Sequence, residues 1–121
     1  DIILTACAAR IQAMVRDLDV VCRFGAEKFG IVLPNTRATQ ARILAERIRQ
    51  SIGDNTISVG THQLVLTIST GMASYTGKKA DIQNQPSAAV HPDAISGPDL
   101  VHQALKALET AVAKGGNQIQ P

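Results

Sequence analysis

Residues 16–34, RDLDVVCRFGAEKFGIVLP, constrain this chain more than any other stretch. Two runs rich in Val, Ile and Phe, over 20–24 and 28–33, flank the turn Gly25-Ala26-Glu27. Such runs around a short glycine-containing turn predict an antiparallel hairpin. On both sides the periodicity changes. Leu4, Cys7, Ala8, Ile11, Met14 and Val15 recur at helical spacing, which predicts an amphipathic helix over 1–17. Pro34-Asn35-Thr36 ends the second strand and opens a helix over 37–52. Its apolar face is Ala41, Leu44, Ala45, Ile48 and Ile52, and its exposed face carries Arg37, Arg42, Glu46, Arg47 and Arg49. Strands alternating with helices in this way predict an α+β sandwich, an antiparallel sheet with helices packed on it.

The remainder fits that frame. Gly53-Asp54-Asn55 closes the second helix. A strand over 56–60, a Gly60-Thr61-His62 turn and a strand over 63–73 predict a second hairpin. Residues 76–98, rich in Pro and Gly, read as a loop longer than a compact domain usually needs. A last helix is expected from Asp99, as its N-cap, to Lys114, stopped by Gly115-Gly116. Gln118-Ile119 adds a short final strand. At 121 residues the chain is long enough for one core, and with 2% aromatics that core must be mainly aliphatic and alanine-rich, with Phe24 and Tyr75 expected in it. A net charge of +2 gives no field that implies nucleic acid or an anionic membrane. No apolar run reaches the length of a membrane span. The chain does not begin with Met, so a piece of a longer protein is expected. Cys7 and Cys22 form no CxxC pair and are expected as small buried hydrophobes in a reducing cytoplasm.

The turn Gly25-Ala26-Glu27-Lys28-Phe29 resembles the signature of the GGDEF family, the bacterial diguanylate cyclases that join two GTP molecules into cyclic di-GMP. LTISTGMA at 66–73 is similar to the family's LTxSiGvA strand, and GGNQI at 115–119 to its closing GRNRV. The resemblance implies a ferredoxin-like fold, the palm shared with adenylyl cyclases and polymerases. It also implies truncation at the N-terminus, because a complete member carries a further strand and helix before residue 1. That strand is central to the sheet and bears a metal-binding Asp. Without it, two exposed edges are expected to pair into a homodimer or aggregate, or the remaining strands to close up into a rearranged sheet.

Against that pattern the signature is degenerate. Cyclase chemistry sends a ribose hydroxyl to an α-phosphate while divalent metals stabilise the attacking and leaving oxygens. The resemblance implies acids at the third and fourth signature positions. Glu27 keeps the third, but Lys28 stands at the fourth. A unit-charge pair at ~4 Å interacts by roughly 4 kcal/mol at an effective dielectric near 20, so a reversed charge beside a dication costs several kcal/mol twice over. Ala26 replaces a glycine that lets backbone approach the nucleotide. Val112 and Gly116 replace a phosphate-binding Lys and Arg in the last helix, with Lys106 and Lys114 out of helical phase. The expectation is no catalysis, no resident metal, and magnesium at Glu27 only if GTP is bound.

Upstream of the hairpin, Arg16 and Asp19 keep the family's RxxD product-binding motif. Arg16 can present a planar fork to a guanine edge or a phosphate, and Asp19 can accept from guanine N–H groups. A further arginine on the next helix completes the site in the family. Ungapped counting places it at Arg47, with Arg42 and Arg49 less well phased. The competing structural reading has Arg16 meeting helix-end carbonyls and Asp19 capping the turn. Arg23 and Glu27 are expected to pair across the hairpin. His62, His91 and His102 lack metal-ligand spacing. Three functions stay open: a cyclic di-GMP receptor, a regulatory or dimerisation domain (GTP-binding or not) attached to a domain such as an EAL-type phosphodiesterase, and a residual cyclase.

Overall fold

The computed structural model describes residues 2–75 and 97–121. The expected loop lies almost wholly outside these residues, as does His91. In chain order the elements are α1 (Ile2–Met14), β1 (Val20–Arg23), β2 (Phe29–Val32), α2 (Ala38–Gly53), β3 (Ile57–Val59), β4 (His62–Leu64), β5 (Thr70–Gly71), α3 (Gly97–Ala113) and β6 (Ile119–Gln120). The α+β class is as the sequence predicts.

The core lies where the helical patterns place it. Cys7 and Ile11 of α1, Ile48 and Ile52 of α2, and Ile57 of β3 form one buried cluster, with Val21, Phe29, Ile31 and Leu44 packed against it. Arg10 joins the end of α1 to the β3 approach by donating to the carbonyls of Asn55 and Thr56, at 3.4 and 3.0 Å. Burial pushes the Cys7 thiol up from its ordinary pKa.

The strands form three two-stranded ribbons, β1–β2, β3–β4 and β5–β6. The first two are antiparallel hairpins, and the third is parallel. The single strand expected over 63–73 is therefore divided. Its first part pairs with β3, and Thr70-Gly71 pairs with Ile119-Gln120 at the far end of the chain. Gly71 makes that division workable, since a Cβ there would sit 2.1 Å from the Ala104 carbonyl and 2.2 Å from the Leu108 nitrogen. Only glycine lets α3 lie this close to β5.

The last helix starts earlier than expected. Pro98 falls at its first turn, where a fixed φ and a missing N–H are tolerated, so Asp99 lies inside the first turn instead of capping it. Gly115 and Gly116, with φ of 109° and 72°, end it. Gly116 N–H donates to the Ala111 carbonyl and Gly115 N–H to that of Val112, the paired bonds of a Schellman cap.

Candidate functional site

The β1–β2 hairpin carries a candidate site at each end. At its base the chain leaves α1 and turns through 16–19. The turn closes in both directions: Asp19 N–H donates to the Arg16 carbonyl at 3.0 Å, and Arg16 N–H donates to Asp19 Oδ2 at 2.8 Å. Asp19 thus caps the turn, as the structural reading has it. The side chains add to this. Arg16 Nε donates to Oδ2 at 3.1 Å and Nη2 to Oδ1 at 2.8 Å, a side-on bidentate pair.

The same guanidinium reaches the connection from β2 to α2. Nη2 donates to Thr36 Oγ1 at 2.7 Å and to the Pro34 carbonyl at 2.9 Å. The Thr36 hydroxyl itself donates to Pro34 O at 3.0 Å. Asn35, between them, has φ of 52°, a left-handed conformation that Asn tolerates better than most residues. One arginine therefore ties two connections that flank the hairpin.

Only one of the two motif side chains stands partly free. The Asp19 side chain is 1% exposed with both oxygens engaged, whereas that of Arg16 is 49% exposed. Arg16 Nη1 makes no hydrogen bond among the described residues. Hydrogen bonds from Arg16 hold the Asp19 carboxyl below the usual carboxylate range, against the opposing pull of burial. The same bonds raise Arg16 above the ordinary guanidinium value. Pro34 and Thr36 were missing from the sequence-based site. Their only local signal is a Thr two residues beyond a Pro, a common hydroxyl-to-backbone turn.

The arginines of α2 separate by engagement. Arg42 donates to the carbonyls of Ile119 and Pro121, and Arg49 to Glu46 and Asn117. These two staple α2 to the last strand and its preceding turn. Arg47 is exposed, and its side chain makes no hydrogen bond or ion pair among the described residues. Of the three arginines considered, Arg47 is the one with a guanidinium to offer.

The tip of the hairpin is the opposite case. Gly25, Ala26, Glu27 and Lys28 are all exposed. Phe24 N–H donates to the Lys28 carbonyl and closes the turn. Neither Glu27 nor Lys28 makes a side-chain hydrogen bond or ion pair among the described residues. Arg23 does not pair with Glu27 as expected. It donates instead to the carbonyls of Gly25 at 3.2 Å and Ala26 at 2.7 Å, bracing the turn from within. No residue of this turn takes a left-handed φ, so Ala26 sits there without backbone strain.

Strand alternation corrects two further expectations. Val21, Phe29 and Ile31 pack on the core, and the opposite face of the ribbon carries Val20, Cys22 and Val32. Cys22 is therefore exposed, its Sγ 3.6 Å from the Gly30 carbonyl. Phe24 follows on that same face and is 50% exposed. Tyr75, outside the strands, was expected in the core and is 42% exposed. An open cavity of about 290 Å³ lies between α1 and the hairpin, lined by Leu4, Ala8, Gln12, Val21, Cys22 and Phe29. Neither Arg16 nor Glu27 lines it. His62 and His102 are exposed. Among the described residues no three His, Cys, Asp or Glu side chains gather as a metal site, and no helix is long and apolar enough to cross a membrane.

Comparison with known proteins gives a consistent result. The family model described as "Diguanylate cyclase, GGDEF domain" matches residues 1–118. The chain is similar to Diguanylate cyclase A of Treponema denticola, 32% identical over 119 residues, which is 98% of this chain and 28% of that protein. The structure is similar to diguanylate cyclase SiaD of Pseudomonas aeruginosa, solved in complex with its activator SiaC. The TM-score is 0.71 and the identity 26%, over 97% of this chain and 39% of that one. It is also similar to an EAL/GGDEF domain protein from M. capsulatus, with a TM-score of 0.70 and 27% identity, over 98% of this chain and 66% of that one. The chain thus spans under a third of the first relative's length.

Proposed function

The chain belongs to the GGDEF family of cyclic di-GMP signalling, and we propose from that premise that it is a signalling domain that has lost cyclisation and serves as a receptor for cyclic di-GMP. The observation that carries the first half is Lys28. It stands beside Glu27 at the exposed tip, with no acidic partner among the described residues. Divalent magnesium requires hard oxygen donors. A single carboxylate next to an ammonium does not fit that ion. Gly116, in the turn that ends the last helix, has no side chain to offer a phosphate where the family carries an arginine. Incubation of the protein with GTP and magnesium or manganese should give no cyclic di-GMP by chromatography. Product above a no-enzyme control, abolished by Glu27→Ala, would overturn this.

The receptor half rests on two guanidinium groups. Arg16 keeps its Nη1 corner open, and Arg47 is free along its length. A cyclic dinucleotide offers two phosphates and two guanine edges to such groups. Calorimetry should detect binding, weakened tenfold or more by Arg16→Ala and also reduced by Arg47→Ala, in line with one charge-assisted contact each.

The buried Asp19 favours a second reading, in which Arg16 and Asp19 only hold the fold and the domain regulates an attached or partner signalling domain, EAL-type among them, or a second copy of itself. An absence of binding heat, with catalysis also absent, selects that reading.

A further inference from the structure

We propose that the free edge of β1 is a self-association surface, where a second copy of this chain adds its own β1, antiparallel, about a two-fold axis at Cys22. The inference is independent of the receptor reading and needs no nucleotide.

The β1–β2 ribbon has two strands, so among the described residues β1 is paired on one side only. In an antiparallel ladder, hydrogen-bonded and non-bonded positions alternate. The bond from Phe24 N–H to the Lys28 carbonyl marks Phe24 as a bonded position. By that alternation Cys22 and Val20 also turn their backbone groups to β2. Val21 and Arg23 turn theirs outward, where no backbone partner meets them among the described residues. Outward N–H and C=O groups of this kind are a template for another strand. The edge is accessible, because the open cavity between α1 and the hairpin lies against Val21, Cys22 and Arg23. The adjoining face is apolar: Val20 and Val32 are 53% and 56% exposed, and Phe24 and Cys22 stand beside them. Val21 and Ile31 already pack on the core, so the ribbon is apolar on both faces, the pattern of a strand covered on both.

A second copy is the occupant because one register satisfies everything the edge presents. With Cys22 opposite the partner's Cys22, Val21 faces the partner's Arg23, and Arg23 faces the partner's Val21. Every outward N–H and C=O of both copies then meets its complement. Val20 and the partner's Phe24 lie opposite one another, a β-branched residue against an aromatic. The neighbouring registers are worse. One sets Arg23 against the partner's Arg23, a like-charge pair. The other sets Arg23 against the partner's Asp19, whose N–H is already given to the Arg16 carbonyl. A contact of this symmetry closes on itself as a dimer. Two short strands fall below the roughly 1,200 Å² at which specific interfaces become stable, so the dimer is expected to be reversible. Cys22 occupies a non-bonded position toward the partner, which brings the two Cα atoms to about 4.5 Å, within the roughly 4.4–6.8 Å that a disulfide spans.

The test uses the intact chain without nucleotide. Under reducing conditions, sedimentation velocity over a concentration series should show a reversible monomer–dimer equilibrium. Arg23→Pro removes an outward N–H at a position where proline costs the β1–β2 ladder no bond, and should weaken the dimer by about tenfold or more. With oxidised glutathione added, one Cys22 thiolate opens the glutathione disulfide and releases one glutathione thiol. The partner's Cys22 thiolate then displaces the second, leaving a dimer joined at Cys22. Cys22→Ser should give no such dimer, since Cys7 is buried. In the Cys22→Ser background, Val20→Cys with Phe24→Cys should cross-link, and Val20→Cys alone should not, because only the pair lies opposite across the axis. A monomer at every concentration overturns the proposal. So does a dimer that Arg23→Pro leaves intact, one that forms no Cys22 disulfide, or one in which Val20→Cys alone cross-links as well as the pair. If Arg23→Pro does not fold by circular dichroism, the cysteine variants decide.

Discussion

At the base of the β1–β2 hairpin, Arg16 and Asp19 bind one another and the connection to α2. At its tip, Glu27 and Lys28 meet no partner among the described residues. Both ends are polar, both come from the same short stretch of sequence, and the same strands hold them. The difference is in what surrounds them. The base is flanked by the end of α1 and by the Pro34–Thr36 turn, which supply acceptors for every donor on one side of the guanidinium. The tip projects from the ribbon, and Arg23 is spent on the turn's own carbonyls. At an exposed tip a side chain acts through its identity, so a lysine in place of an acid has its full electrostatic effect on any ligand. At a clasped base a side chain acts through its partners, so the same letters RxxD describe a ligand contact, a structural tie, or one residue of each.

The largest effect tests whether both ends depend on a single core. Ile52 is fully buried, so Ile52→Ala should cost about 2–5 kcal/mol. Denaturant unfolding should report that loss as one transition that releases base and tip together. Two transitions would mean that the ends are held separately.

Next comes the base itself. Asp19→Ala leaves the Arg16 N–H and a guanidinium fork without their acceptor, and should lower the melting temperature by several degrees. Glu27→Ala and Lys28→Ala should change stability by no more than about 0.5 kcal/mol, as exposed substitutions do. The comparison breaks if the tip variants prove the more damaging.

A smaller effect distinguishes the base by pH. The Asp19 carboxyl is held low by Arg16, so its contribution to stability is complete above the unfolded carboxylate value, near about 3.9, and is lost as pH falls through the lowered folded value. The stability difference between wild type and Asp19→Asn should be flat from neutral pH down to about 4 and shrink below that. Glu46 is lowered in the same direction by Arg49, and it cancels in this difference because both proteins carry it. A difference that changes near neutral pH would show that another group reports on the clasp.

The smallest expected effect is a null result at the tip. Lys28→Glu restores the acid but leaves Ala26, Val112 and Gly116 in place. Chromatography should still show no cyclic di-GMP from GTP. Product from this single change would mean that charge at the tip alone silences the site.

The order of elements, the two hairpins and the apolar faces of α1 and α2 were legible in the sequence. Periodicity and turn residues are local, and a buried face has to be apolar wherever it packs. The signature turn, its Lys28 and the candidate Arg16, Asp19 and Arg47 were legible as letters. Less legible was the division of 63–73 between two ribbons, because the partner of Thr70-Gly71 lies at the chain's far end and only a glycine beneath α3 permits the pairing. Phe24 and Cys22 were misread as core for a related reason: alternation says which residues share a face, but not which face is covered.

The sequence by itself therefore determined the family, the α+β class and the charge at the hairpin tip, since each follows from residue identity and spacing. Only the tertiary structure decided that Asp19 is buried, that Thr36 and Pro34 complete the hold on Arg16, and that Arg47, unlike Arg42 and Arg49, keeps its guanidinium unengaged among the described residues. A hydrogen bond forms with whichever acceptor the fold brings within reach of a donor, and that proximity is not written in either residue alone.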